Sequence, residues 1–258
     1  MLQYLHEAEP PLLLFVCSRQ LREHRVRRGG ILFVRVIIPN SSNKKTNTKG
    51  KFMKVLIING SPHASGTTSV ALAEAARELE EQGMETETVH IGALAIRGCL
   101  ACSYCKTEGK CVVNDEVNEV AKKFAEADGI IVGSPVYYAS PNGNLISFLD
   151  RLFHSTHFDK SMKVGAAVVC ARRGGCTASF DVINKYFTIS GMPIASSTYW
   201  NQVHGACAED APFDEEGLMT MRNLAKNMAF LIKSISLGKE SFGIPKTEGG
   251  KKTSFIRR

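Results

Sequence analysis

No stretch of this 258-residue sequence is apolar over the ~18 residues that a membrane-crossing helix needs. The run "PPLLLFVCS" is short, has no basic residue ahead of it and no small-residue cleavage site after it. Neither a membrane span nor a secretory signal is therefore expected. Most of the sequence also lacks a charge surplus. The formal net charge of +7 belongs to residues 1–52, with ten Lys/Arg against three Asp/Glu, while residues 53–258 hold 22 of each sign. That balance gives no basis for a nucleic-acid surface on the larger part. Two phosphate signatures are missing as well: there is no G-x-G-x-x-G and no Gly-Lys-Ser/Thr. Cysteine, by contrast, is plentiful at eight residues. With no export signal, the expected setting is a reducing cytoplasm, where clustered cysteines bind metal or do redox work rather than form structural disulfides.

Residues 1–52 differ in character from the rest of the chain. "REHRVRR" is a charge block, "GGILFVRVIIP" a possible strand and "NSSNKKTNTKGK" a polar linker. They read as a basic extension, either a disordered arm or sequence upstream of a functional start at Met53. From Met53, short β-branched runs alternate with amphipathic ones. Strands are expected at 54–59, 85–91, 129–134, 163–170 and, more weakly, 193–199. Helices are expected at 69–82, 116–127, 145–153, 177–189 and 217–237. Five strands, each followed by a helix, predict an α/β domain over 53–237. It would be a doubly wound parallel sheet of flavodoxin-like type, strand order 2-1-3-4-5, with its ligand beyond strands 1 and 3. The tail 238–258 is too rich in Gly and Lys for a core and reads as an arm.

Three loops at the C-terminal ends of these strands carry candidate chemistry. "NGSPHASGTTS" (59–69) joins strand 1 to helix 1. Its glycines, its hydroxyls and the helix N-terminus suit a phosphate dianion without any lysine. "SPVYYASPNGNLISFLDRLF" (134–153) follows strand 3 and offers backbone polar groups and flat apolar surface to a ring, with Pro135 and Pro141 stiffening it. "CARRGGCTASFD" (170–181) follows strand 4 and brings Gly174 and Arg172 or Arg173 to the same edge. Asp150 and Arg151 read as helix-end or subunit contacts. Trp200 and His204 read as either packing residues or a cover for the ligand.

After strand 2 comes "RGCLACSYCKTEGKC", with Cys99, Cys102, Cys105 and Cys111 spaced C-x2-C-x2-C-x5-C. Four thiolates so close together suit an iron–sulfur cluster, with "KTEGK" letting Cys111 fold back. They also suit zinc or redox-active thiols. Cys17, Cys170, Cys176 and Cys207 are scattered and read as incidental or buried thiols.

The loop "GSPHASGTT" resembles the first loop of the NADPH-dependent FMN reductase family, and "SPVYYASPNGNLISFLDR" is similar to that family's second loop. The cysteine spacing resembles the iron–sulfur flavoprotein branch of the same flavodoxin-like group. The resemblance covers about 53–237. It implies an FMN-dependent oxidoreductase using NAD(P)H, with a [4Fe–4S] cluster relaying electrons through Cys99, Cys102, Cys105 and Cys111. FMN contacts would come from Ser61, His63, Gly66, Thr67, Thr68, Pro135, Val136, Tyr137, Tyr138, Ala139, Arg172 and Gly174. Flavin chemistry requires no side-chain acid or base, so no catalytic residue is expected. The alternatives are an electron carrier between protein partners and a zinc-stapled flavodoxin-like module. Expected partners are a small-molecule acceptor or a redox protein, with assembly as a homodimer or homotetramer.

Overall fold

The computed structural model describes residues 52–249 and Thr253. The expectations for residues 1–51 and for nearly all of the chain past 249 lie outside the described residues. All described residues belong to one compact unit, Ser42–Arg258. In chain order its elements are β1 (Lys54–Asn59), α1 (Thr67–Glu81), β2 (Glu85–His90), α2 (Cys105–Glu108), α3 (Glu116–Glu126), β3 (Gly129–Tyr137), β4 (Ser140–Pro141) and α4 (Gly143–Ser155). β5 (Val164–Ala171), α5 (Cys176–Ile189), β6 (Gln202–His204), a short 3-10 turn (Ala208–Phe213) and α6 (Glu215–Phe242) complete it.

The sheet order is β2-β1-β3-β5-β6, all parallel, with the two-residue β4 antiparallel to the end of β3. Counting only the parallel strands, this is the expected 2-1-3-4-5 order of a flavodoxin-like fold. Alternation along the central strands assigns each side chain to one of two cores. Val55, Ile57, Ile131, Ala166 and Val168 face α1 and α6, against Leu72, Leu79, Leu224 and Met228. Leu56, Ile58, Ile130, Val132 and Val169 face α3, α4 and α5, against Phe124, Phe148, Leu152 and Phe187. Covered on both faces, these strands read as continuous apolar runs.

Two expectations are corrected. The fifth strand is not at 193–199. Ile194 makes only an isolated bridge with Gly165. The chain then leaves the ladder: Ser197 Oγ donates to Thr220 O, and Asn201 Nδ2 substitutes for a strand by donating to Ala167 O. Pairing resumes at Gln202–His204. Polar side chains here bond to backbone far away in sequence, on α6 and β5, in place of ladder bonds, which is why β-rich composition misled. The last helix also continues to Phe242, five residues into the segment expected as an arm, although Leu237 and Phe242 on it are exposed.

Gly165 sits where β5 passes under α5: a Cβ there would lie 2.5 Å from the Phe187 ring. The substitution Gly165→Ala is expected to cost about 1–3 kcal/mol by overpacking. It would be read as a lower urea midpoint at unchanged slope. An unchanged midpoint would contradict this packing.

Candidate functional site

Because β1, β3 and β5 run parallel and in register, the loops after them gather at one edge. Gly60 N donates to Gly133 O at 2.8 Å, stitching the first loop to β3. α1 begins after Gly66, which is extended and brings no side-chain cap. The leading N–H groups and the positive end of the helix are thus left for an anion. The loop is built for shape. Ser61 is buried, its N–H donates to Asn59 Oδ1, and its Oγ accepts from His63 N. The Thr67 hydroxyl faces away, to Gly205 O at 3.3 Å and Cys207 O at 2.8 Å. Thr68 is buried and His63 exposed. The hydroxyl of Thr67 therefore braces the loop against the segment after β6.

The second loop is a tight hairpin. Val136 pairs with Pro141 and Tyr137 with Ser140. Tyr138 and Ala139 at its tip both have positive φ, 50° and 56°. Such a turn normally takes Asn-Gly, so two non-glycine residues here store local backbone strain. Tyr138 is fully exposed and Tyr137 half-exposed. The third loop closes against this hairpin: a Cβ on Gly175 would lie 2.9 Å from both Ala139 Cα and Val136 Cγ1. Arg172, Arg173 and Gly174 are exposed beside it. The residues expected to bind a flavin thus lie at the same edge of the sheet: Ser61, His63 and Gly66 on the loop after β1, Thr67 and Thr68 in the first turn of α1, Pro135 to Tyr137 at the end of β3, Tyr138 and Ala139 on its hairpin turn, and Arg172 with Gly174 on the loop after β5.

α4 ties these loops to the cysteine loop. Asn142 caps the helix, accepting from Asn144 N, and its Nδ2 donates to Gly60 O. Asn144 Nδ2 donates to Leu94 O at 2.9 Å. Two turns on, Arg151 is 1% exposed. Its five N–H groups meet five acceptors. Nε donates to Cys111 Sγ at 3.2 Å, Nη1 to Arg97 O and Asp115 Oδ2, and Nη2 to Val113 O and Asp115 Oδ1. Burial by itself lowers the guanidinium's pKa, but Asp115 and Cys111 outweigh it and hold the group above the ordinary arginine value. Asp115 is also the N-cap of α3. From α3, Asn118 grips Cys111 on both sides, accepting from its N–H and donating to its C=O. The expectation that Arg151 makes helix-end or subunit contacts is corrected: it organises the cysteine loop from within the chain. Asp150 likewise acts within the chain, accepting from Tyr186 OH on α5.

Cys99, Cys102, Cys105 and Cys111 line one cavity of about 180 Å³, bordered on the α4 side by Arg151, His154 and Ser155. Cys99 and Cys102 are exposed and Cys105 is buried at the start of α2. Ala101 and Ser103, flanking Cys102, have positive φ of 51° and 60°. Two non-glycine residues in the left-handed region on either side of Cys102 mark a tightly turned backbone with local strain. Ala101 N reaches Cys99 Sγ at 3.5 Å. The buried Ser155 Oγ has no hydrogen-bond partner. Among the described residues, no three His, Cys, Asp or Glu side chains are drawn together tightly enough to hold a single metal ion. Cys170 and Cys176 are buried apart from this cavity, and burial pushes the Cys170 thiol up to about 12.

Comparison with known proteins agrees with this geometry. The profile of the NADPH-dependent FMN reductase family matches residues 53–205. An iron–sulfur flavoprotein of Methanocaldococcus jannaschii is 37% identical over 191 residues, covering 71% of this chain and 99% of the relative. One from Methanosarcina thermophila is 30% identical over 192 residues, covering 73% and 100%. Among solved structures, RosB with bound 8-demethyl-8-formylriboflavin-5'-phosphate superposes with a TM-score of 0.59 at 15% identity, over 80% of this chain and 94% of that one. A flavone reductase superposes with a TM-score of 0.54 at 17% identity, over 71% and 64%. These two likenesses bear on the fold alone.

The burial pattern predicts thiol reactivity. In metal-free folded protein at about pH 8, iodoacetamide is expected to modify the exposed Cys99, Cys102 and Cys207 before the buried cysteines. Cys170, buried and protonated, should react at least ~100-fold more slowly. Peptide mass spectrometry over time reads this. Labelling of Cys170 at the rate of Cys99 would contradict the placement.

Proposed function

The chain belongs to the NADPH-dependent FMN reductase family, and on that premise we propose that it is an FMN oxidoreductase whose electrons pass on through a [4Fe–4S] cluster on Cys99, Cys102, Cys105 and Cys111. The observation that carries this reading is that all four cysteines line one cavity against α4, the helix whose other end holds the flavin-side loops. The Methanocaldococcus and Methanosarcina relatives are both named for iron and sulfur and are matched along essentially their full length. The spacing favours a cluster over zinc: zinc ligands usually fall into two pairs separated by a longer insert, whereas these four cysteines lie within thirteen residues.

FMN, when bound, supplies the hydride and single-electron chemistry. The chain's residues position it. Backbone N–H groups at the start of α1, with Ser61, Gly66, Thr67 and Thr68 shaping the loop and His63 at its rim, would receive the phosphate. Pro135 to Ala139 would line the ring, with Gly174 and Arg172 at its edge, where a cation favours negative charge on the flavin or on a nicotinamide's phosphate. Flavin hydride chemistry requires no side-chain acid or base. The donor is a reduced nicotinamide or a ferredoxin-type protein. The exposure of Cys99 and Cys102 favours a protein acceptor that docks on the cysteine loop, so the electron-carrier reading stands beside the reductase reading. The exposed Tyr138, Tyr199 and Trp200 suit completion of the flavin site by a second copy in a homodimer or homotetramer. The seven described free cysteines suit a reducing, cytoplasmic setting.

Protein purified without oxygen is expected to show flavin bands over a broad visible absorbance that bleaches with dithionite. A colourless protein carrying stoichiometric zinc would sink the cluster assignment. NADH or NADPH oxidation with a quinone present is expected for a reductase. Absence of turnover with both nicotinamides, in flavin-loaded protein, would leave the carrier reading in its place.

A further inference from the structure

The cavity wall contributed by α4 goes beyond holding the loop in place. Arg151 and Ser155 are four residues apart, so they share one helix face. Both are buried and both border the cavity. A clamp on the loop is complete with four of Arg151's N–H groups, those on Asp115, Arg97 O and Val113 O. The fifth, on Nε, is given to the sulfur of Cys111. A buried serine in a helix usually falls back on the carbonyl one turn earlier. Ser155 Oγ makes no such bond and has no partner among the described residues. One face of α4 therefore directs a charged donor to a ligand sulfur and keeps a second, uncommitted donor at the same cavity.

We propose that Arg151, seconded by Ser155, is a positioning residue that sets the reduction potential of the group the four cysteines hold. This rests on the cluster reading of the cysteine loop. Taking up an electron adds negative charge that is shared with the ligand sulfurs. A hydrogen bond to such a sulfur strengthens as that charge grows, and more so where water is excluded. Donors around a metal centre therefore favour its reduced form and raise its potential. Lysine cannot reproduce the arrangement, because three donors on one ammonium cannot meet five fixed acceptors.

The test compares wild type, Ser155→Ala, Arg151→Lys and Arg151→Met, each prepared without oxygen. Iron, sulfide and FMN are counted per chain, and cluster and flavin potentials are titrated by EPR and visible absorbance. Arg151→Met is expected to move the cluster's one-electron equilibrium at least tenfold toward the oxidised form, about 59 mV. Ser155→Ala should move it a few-fold in the same direction, and Arg151→Lys should fall between wild type and Arg151→Met. The flavin potential should stay in place, which a general loosening of the fold would not allow. Should Arg151→Met fail to fold or to load iron, Ser155→Ala and Arg151→Lys decide the matter. Full iron content with wild-type cluster potentials in those two overturns this inference alone. Wild-type protein without iron and sulfide overturns the cluster reading beneath it.

Discussion

A buried guanidinium is tolerated only when its charge is opposed and each of its N–H groups is met. Arg151 satisfies that condition by drawing in acceptors from residues 97, 111, 113 and 115. The segment from Ile91 to Tyr104 has almost no regular structure. Arg151 pins the two ends of the cysteine loop, at Arg97 and at Cys111 to Asp115, and Asn118 reinforces the second end on the backbone of Cys111. Asp115 is shared between the arginine and the N-terminus of α3, so the loop, α3 and α4 are locked by one carboxylate. Removing Arg151 would leave Asp115 and two carbonyls short of partners, a larger loss than one ion pair.

The same helix solves the problem of placing two sites together. Asn142 at its start touches the loop after β1 through Gly60 O, and Arg151 nine residues later touches Cys111. At 1.5 Å per residue those anchors are about 13–14 Å apart along the axis. The loop after β1 and the cysteine cavity are thus held at a fixed spacing by a helix packed into the core through Leu145, Phe148, Leu149 and Leu152.

The central strands were legible because parallel strands buried on both faces must be unbroken apolar runs, as in "KVLIIN" and "KVGAAVVC". That the four cysteines share one cavity was legible from their spacing, and that the segments after β1, β3 and β5 meet at one edge of the sheet was legible from their places in the chain. The fifth strand was not, because Ser196 to Asn201 trade ladder bonds for side-chain bonds that composition does not reveal. Arg151 was misjudged because its acceptors lie 36 to 54 residues away in sequence. One signal was available: it sits three residues after Phe148 and next to Leu152, on the buried side of an amphipathic helix, where a cation needs a buried partner.

Everything proposed for this chain requires a flavin site and a separate cysteine-bound cluster on the same polypeptide, joined through α4. Iron, labile sulfide and FMN counted per chain in oxygen-free wild type and in Cys111→Ser decide whether both are present. All three are expected in wild type, with loss of iron and sulfide but retention of FMN in Cys111→Ser. Wild type lacking iron, or a Cys111→Ser protein that keeps its full iron and sulfide, would contradict that arrangement.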